Sequence, residues 1–297
     1  MKGLTLQRRL LFFFAVCACA VAPALASSGD YLPVVNIPEC ELSSATEESS
    51  PFALDYYADL GIAAGALGFT ITGLVLRHRV DGWNGGTVFE KDGINSFDRL
   101  WYNEYRPAVD DLGTAAVVLN VVALPLGIYT TETIFQNLPV LDFATVGVML
   151  CESYMLGYGI RNVIKSSVKR TRPYMYTDKW DWDSVRDGDY TLSFPSGHTT
   201  DAFMGATFLS YTFWKYYPNS RYRIPVIATS YAIAVTTGIL RIASGNHFMT
   251  DVMAGAALGT AVGFLVPFVH EKIAKVKYKG QNVLAFDGQS LTATFRF

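Results

Sequence analysis

Eight residues in the second half of the 297-residue chain have the types and spacing to handle a phosphoryl group. Lys165 is followed after six residues by Arg172-Pro173. Pro195-Ser196-Gly197-His198 comes next. Arg241 then precedes His247 by five intervening residues, and three separate His247 from Asp251. A phosphoryl group carries up to two negative charges. Lys165, Arg172 and Arg241 offer three positive ones, and a guanidinium matches phosphate oxygens in pairs. Ser196 supplies a hydroxyl, and Gly197, lacking a Cβ, lets its backbone N–H approach an anion closely. The apolar run after His198 predicts a helix starting there, with its positive end toward the phosphate. His247 and Asp251, four apart, would share one helical face. Asp251 would accept from one ring nitrogen and leave the other free as a nucleophile. His198, titrating near neutrality, would protonate the leaving oxygen. No carboxylates or cysteines with metal-ligand spacing accompany these residues. The cations would do the charge work of a metal, and no cofactor is expected.

Each group alone is weak. A Ser-Gly-His turn is usually just a turn, and basic residues beside an apolar segment usually mark its cytoplasmic flank. That flank reading is given to Lys169 and Arg170. The ordered trio, each at the border of an apolar helix, carries the case.

The elements that must position these residues are helices. Apolar stretches run approximately over 60–76, 112–129, 143–164, 202–213, 224–242 and 248–269. They are rich in Ala, Gly, Leu and Val, with few turn signals inside. A spanning helix needs about 20 apolar residues, which 143–164 and 248–269 reach, whereas 202–213 is a weak span. The expected fold is all-α, a bundle of about six core helices, mostly membrane-embedded. Near the C-terminus, Asp287-Gly288 between two short alternating segments predicts a β-hairpin. Hydrophobic residues make up 51% and charged residues 17%. Soluble domains are nearer a quarter charged, so the composition leans to membrane, although the mean hydropathy of +0.23 is moderate. A net charge of −2 argues against nucleic-acid binding.

Residues 1–26 read as a secretory signal. Lys2, Arg8 and Arg9 precede an apolar run ending near Ala24-Leu25-Ala26, and the alternative is an uncleaved anchor. Cleavage would take the charge from −2 to −5. Residues 27–58 form a polar acidic tail, 59–279 the main domain, and 280–297 the hairpin tail. Cys40 and Cys151 lie beyond the signal. Export permits a disulfide between them, with a buried free thiol at Cys151 the other reading.

The three motifs resemble those of the type 2 phosphatidic acid phosphatase (PAP2) superfamily. That superfamily includes bacterial class A acid phosphatases and vanadium haloperoxidases. The resemblance spans Lys165 to Asp251, with flanking helices from about Phe143 to Val269. It implies an all-helical core and a metal-independent phosphohistidine mechanism. By motif position, His247 would be nucleophile, Asp251 its orienter and His198 the acid. Lys165, Arg172, Ser196, Gly197 and Arg241 would bind phosphate. The family usually has Ser before the third-motif arginine. Leu240 stands there, so one minor phosphate contact is lost.

The expected activity is a phosphatase on phosphorylated lipids in a bacterial envelope, in the inner membrane with a periplasm-facing site. The alternatives are a soluble periplasmic acid phosphatase on small phosphoesters, a haloperoxidase, and a non-catalytic binder. Lys215, Arg221 and Arg223, with Lys272, Lys275, Lys277 and Lys279, favour a cytoplasmic location for the loops that carry them. A cleaved signal followed by three spans would instead put Lys165 inside, and one early segment is expected not to span. Asp178, Asp181, Asp183, Asp187 and Asp189, with Trp180 and Trp182, read as a solvated loop rather than a lid. Glu152 in an apolar helix should be paired or functional. Phe97-Asp98-Arg99 with Trp101, Tyr102 and Tyr105 suggests an interfacial helix. His78 and His270 read as surface groups.

Overall fold

A computed structural model describes residues 50–279, apart from 79, 81 and 86–88, and strands at 283–286 and 291–294. The expected signal, its cleavage site, most of the acidic tail and Cys40 lie outside the described residues.

Asp55 caps the first helix, α1 (Tyr56–Arg77), accepting from the Tyr57 and Ala58 N–H groups. Pro107, suited to a first turn, opens α2 (Pro107–Val118). A π turn (Leu119–Ala123) joins α2 to α3 (Leu124–Ile134). Next come α4 (Val140–Val168), a short α5 (Trp182–Arg186) and α6 (Gly197–Tyr216). The bundle closes with α7 (Arg223–Ala243) and α8 (Met249–Lys279). Strands β1 (Val283–Phe286) and β2 (Leu291–Thr294) pair antiparallel, as the Asp-Gly signal predicted.

Five helical segments are long and apolar enough to cross a membrane: α1, α2–α3, the stretch containing α4, α7 and α8. Their outer faces expose large apolar side chains, among them Leu67 and Ile71 on α1, Ile239 on α7 and Leu265 on α8. An aqueous protein rarely shows so continuous an apolar surface. All three early segments qualify by length and composition.

The fourth stretch, expected to be a weak span, is not among these candidates, but it is longer than its apolar run suggested. It extends to a 20-residue helix, α6, at the centre of the bundle. Met204, Phe208, Leu209 and Phe213 form its part of the main core, with Met149 from α4 and Val262 from α8. It looked weak because its polar residues Thr199, Thr200, Asp201, Thr207 and Thr212 are buried against protein rather than facing lipid. Close packing of α6 on α8 depends on Gly255, Gly259 and Gly263. A Cβ at these positions would collide with the carbonyl oxygens of Ser196, Thr200 and Met204. Small residues four apart let helix backbones approach where apolar burial alone drives association weakly.

His270 is not a surface group: it is fully buried, and its Nε2 lies 2.9 Å from Glu152 Oε2 and 3.6 Å from Asp59 Oδ1. Glu152 is thus paired, as expected of a carboxyl in an apolar helix. The three come from three helices, so no spacing in the chain announces them. Cys151 is disulfide-bonded rather than a free thiol, and its partner lies outside the described residues.

Candidate active site

The site forms where the end of α4, the starts of α6 and α8, and the end of α7 converge. Arg77, closing α1, reaches it by pairing with Asp189 at 3.4 Å. At the far end of the bundle, the Ala53 N–H donates to the His270 carbonyl.

Lys165 sits in the last turn of α4 and donates to the Leu192 carbonyl at 2.5 Å. The chain then leaves the helix through Lys169, in the left-handed region at φ 49°. Arg172 is buried and held from three sides. It donates to the Asp189 carbonyl at 3.0 Å, to its carboxylate at 2.5 Å, and to the Asn246 carbonyl at 3.2 Å. Arg241, 3% exposed, pairs with Asp110 of α2, and its Nε is buried with no hydrogen-bond partner among the described residues. That nitrogen is a spare donor at the site.

His247 is 2% exposed and lies just before α8 rather than on it. Its Nε2 faces Arg172 at 3.4 Å. Its Nδ1 is 3.7 Å from Asp251 Oδ2, long for a hydrogen bond, with the Ser193 hydroxyl 3.5 Å from the same nitrogen. Ser193 donates to Asp251 at 2.6 Å, and the Phe248 N–H donates to the same oxygen at 2.9 Å. The carboxylate thus also caps the helix. The expected shared helical face holds only in part, because α8 begins after His247.

His198 occupies the first turn of α6, and its Nε2 lies 3.0 Å from the Thr114 hydroxyl of α2. Ser196 caps the helix: its hydroxyl is 2.9 Å from that of Thr199 and accepts from the Thr199 N–H. In this arrangement that hydroxyl serves as the N-cap of α6. Arg161, one turn before Lys165, donates to the Gly197 carbonyl at 2.9 Å and pairs with Asp201, pinning the turn at Gly197.

The electrostatics follow from crowding cations at a buried place. Burial lowers the basicity of His247 well below the ordinary imidazole range, helped by Arg172, Lys165 and Arg241. His198 is lowered likewise by burial, then by Arg241 and His247. Burial works against the Asp189 carboxylate, but Arg172, Lys165 and Arg77 hold it at about 2. In both histidines these effects favour the neutral imidazole. A bound anion would offset the cations and favour a proton on His198.

Three readings of the loops are corrected. Asp189 is an Arg172 partner, and residues 173–190 pack around Tyr174, Met175 and Val185 in a small core of their own. Trp180 stacks edge-on against Trp83 with ring centres 4.9 Å apart. Asp178, Asp183 and Asp187 do remain exposed. Arg170 is no membrane flank: its guanidinium bridges Asp98 at 2.6 Å and Asp251 at 2.5 Å. Residues 97–101 make a single 3-10 turn over Asp98–Leu100, not a longer interfacial helix. The sequence reading missed Asp98, Asp110, Thr114 and Ser193. Each reaches its partner across 58 to 131 residues of chain, so no local pattern marks it.

The PAP2 superfamily model matches residues 146–275, which contain all eight motif residues. Phosphatidylglycerophosphatase B of Bacillus subtilis is 29% identical over 182 residues, 60% of this chain and 80% of that one. Lipid phosphate phosphatase gamma of Arabidopsis thaliana is 30% identical over 55% of this chain and 69% of that one. A lipid A 1-phosphatase of Porphyromonas gingivalis is 34% identical over 39% of this chain, which spans 22% of that protein. A solved transmembrane PAP2-type phosphatidylglycerolphosphate phosphatase of Bacillus subtilis aligns over 73% of this chain and 98% of its own, at 22% identity and a TM-score of 0.44. The chain belongs to the PAP2 superfamily and is a PAP2-type phosphatase.

Proposed function

We propose that this membrane protein removes phosphate from a phosphorylated lipid through a phosphohistidine at His247, without a metal ion. The carrying observation is the position of His247 Nε2, buried 3.4 Å from the Arg172 guanidinium, where burial and three cations favour the unprotonated nitrogen an attack on phosphorus needs. Nε2 attacks phosphorus, and the bond from phosphorus to the leaving oxygen breaks. His198 gives that oxygen its proton. Water then attacks phosphorus and the P–N bond breaks, returning the electron pair to His247. His198 takes the water proton, and inorganic phosphate leaves. Lys165, Arg172 and Arg241 bind the equatorial oxygens and stabilise the charge that develops there.

Lipid substrates are supported by the names of the relatives and by the apolar, exposed flanks of the spanning helices around the site. The same flanks disfavour the soluble acid phosphatase. A bacterial envelope location, with the site facing the periplasm, agrees with the basic residues at the other end of the bundle, Lys215, Arg221, Arg223 and Lys272 among them.

Phosphate release from p-nitrophenyl phosphate and from a diphosphate lipid, with EDTA present, tests the reading. Wild type should turn over, and His247→Ala should lose about 10³-fold or more of that rate. EDTA-sensitive release, or release that survives His247→Ala, would overturn the mechanism.

A further inference from the structure

Asp98 lies on the loop between α1 and α2, outside the stretch matched by the family model, yet it is completely buried. Four hydrogen bonds saturate its carboxylate. The Thr250 N–H donates at 3.0 Å, the Thr250 hydroxyl at 2.6 Å, the Asn95 amide at 2.6 Å and Arg170 at 2.6 Å. The other terminal nitrogen of Arg170 donates to Asp251 at 2.5 Å and to the Thr250 hydroxyl at 2.7 Å. The guanidinium lies over the Phe248 ring, 4.3 Å from its centre. Phe248 and Thr250 are the near neighbours of His247 at the start of α8. One guanidinium therefore ties two buried carboxylates together, and three of the residues around it, Phe248, Thr250 and Asp251, fall within four residues of the proposed nucleophile.

Charge makes the arrangement purposeful. Arg170 facing Asp251 alone would cancel the negative charge that His247 needs opposite it. With Asp98 on its other side, Arg170 is already compensated. One unit of negative charge then remains for Asp251 to offer to His247 as the imidazole gains positive character on phosphorylation. A carboxylate already fixed by hydrogen bonds to Arg170, Ser193 and Phe248 also needs no rearrangement when that charge appears.

We propose that Asp98 is a positioning residue for the phosphoryl-transfer step, acting on His247 through Arg170 and Asp251. This rests on His247 being the nucleophile. It separates Asp98 from the phosphate-binding cations, which it does not touch. Its loss should slow the chemical step without loosening the phosphate.

The test compares Asp98→Asn, Asp98→Glu and wild type in full-length, detergent-solubilised protein, using p-nitrophenyl phosphate. Asp98→Asn keeps the shape and removes the charge. Its kcat should fall about 10–100-fold, the scale of a misplaced reacting group. KM and the competitive inhibition constant of inorganic phosphate should stay within about twofold, because Lys165, Arg172 and Arg241 are untouched. Asp98→Glu should recover part of the lost kcat. A kcat within twofold of wild type would overturn the proposal. So would a kcat loss matched by an equal loss of phosphate affinity, the mark of a loop that only holds the site together. Absence of His247-dependent release in the wild type would overturn the functional reading instead, and this inference with it.

Discussion

Residues 146–275 and residues 50–145 divide the labour of the site unequally. The first region holds every group proposed to touch phosphate: Lys165, Arg172, His198, Arg241 and His247. The second holds none, yet it partners the first at several groups of the site. Arg77 pairs with Asp189, Asp98 with Arg170, Asp110 with Arg241, and Thr114 lies against His198. The region carrying the motifs holds the groups proposed to react. The region before it supplies counter-charges and orientation. Buried cations need such partners, since an uncompensated buried charge costs several kcal/mol.

The comparison can be broken most severely inside the motif region. His198→Ala should cost about 10²–10⁴-fold with an alkyl phosphate, whose leaving oxygen needs a proton, and far less with p-nitrophenyl phosphate. Equal losses on both substrates would remove His198 from the acid role. Thr114→Val is the same test seen from the supporting region. Its loss should be smaller, about threefold to tenfold, and confined to the alkyl phosphate. A loss equal to that of His198→Ala would mean Thr114 does more than orient the ring.

Asp110→Asn sharpens the contrast further, because it touches binding rather than chemistry. Asp110 accepts from Arg241 and from the Asn246 amide at 3.2 Å. Removing its charge frees the positive charge of Arg241 for phosphate but loosens its placement. The expected result is a change in KM of about threefold to tenfold with kcat altered less. A kcat collapse at unchanged KM would place Asp110 with the chemical machinery and blur the division between the two regions.

The motif residues were legible because their chemistry is local. The spacing from Lys165 to Arg172, the Pro195–His198 turn and the run from Arg241 to Asp251 all lie next to helix ends. Such short separations at helix ends keep the residues of each motif near one another. The apolar stretches likewise announced α1, α4, α7 and α8, since a lipid-facing helix must be apolar along its length. The same logic set α6 apart as a weak span, as it is, but cut its length short. Its buried threonines and Asp201 lowered its hydropathy, because it faces protein on all sides.

Arg170 and His270 mark the boundary of what a linear reading determines. Their sequence neighbours suggested a membrane flank and a surface, yet His270 is buried and Arg170 half-buried, each against carboxylates from distant parts of the chain. The chain by itself determined the helical class, the membrane character and the eight residues suited to phosphate chemistry. Tertiary structure alone decided which carboxylate faces which cation. It also decided that Ser193, not a direct hydrogen bond, stands between Asp251 and His247. Ion pairing is set by distance in space, and chain positions as far apart as Asp98 and Arg170 share no local constraint until the helices pack.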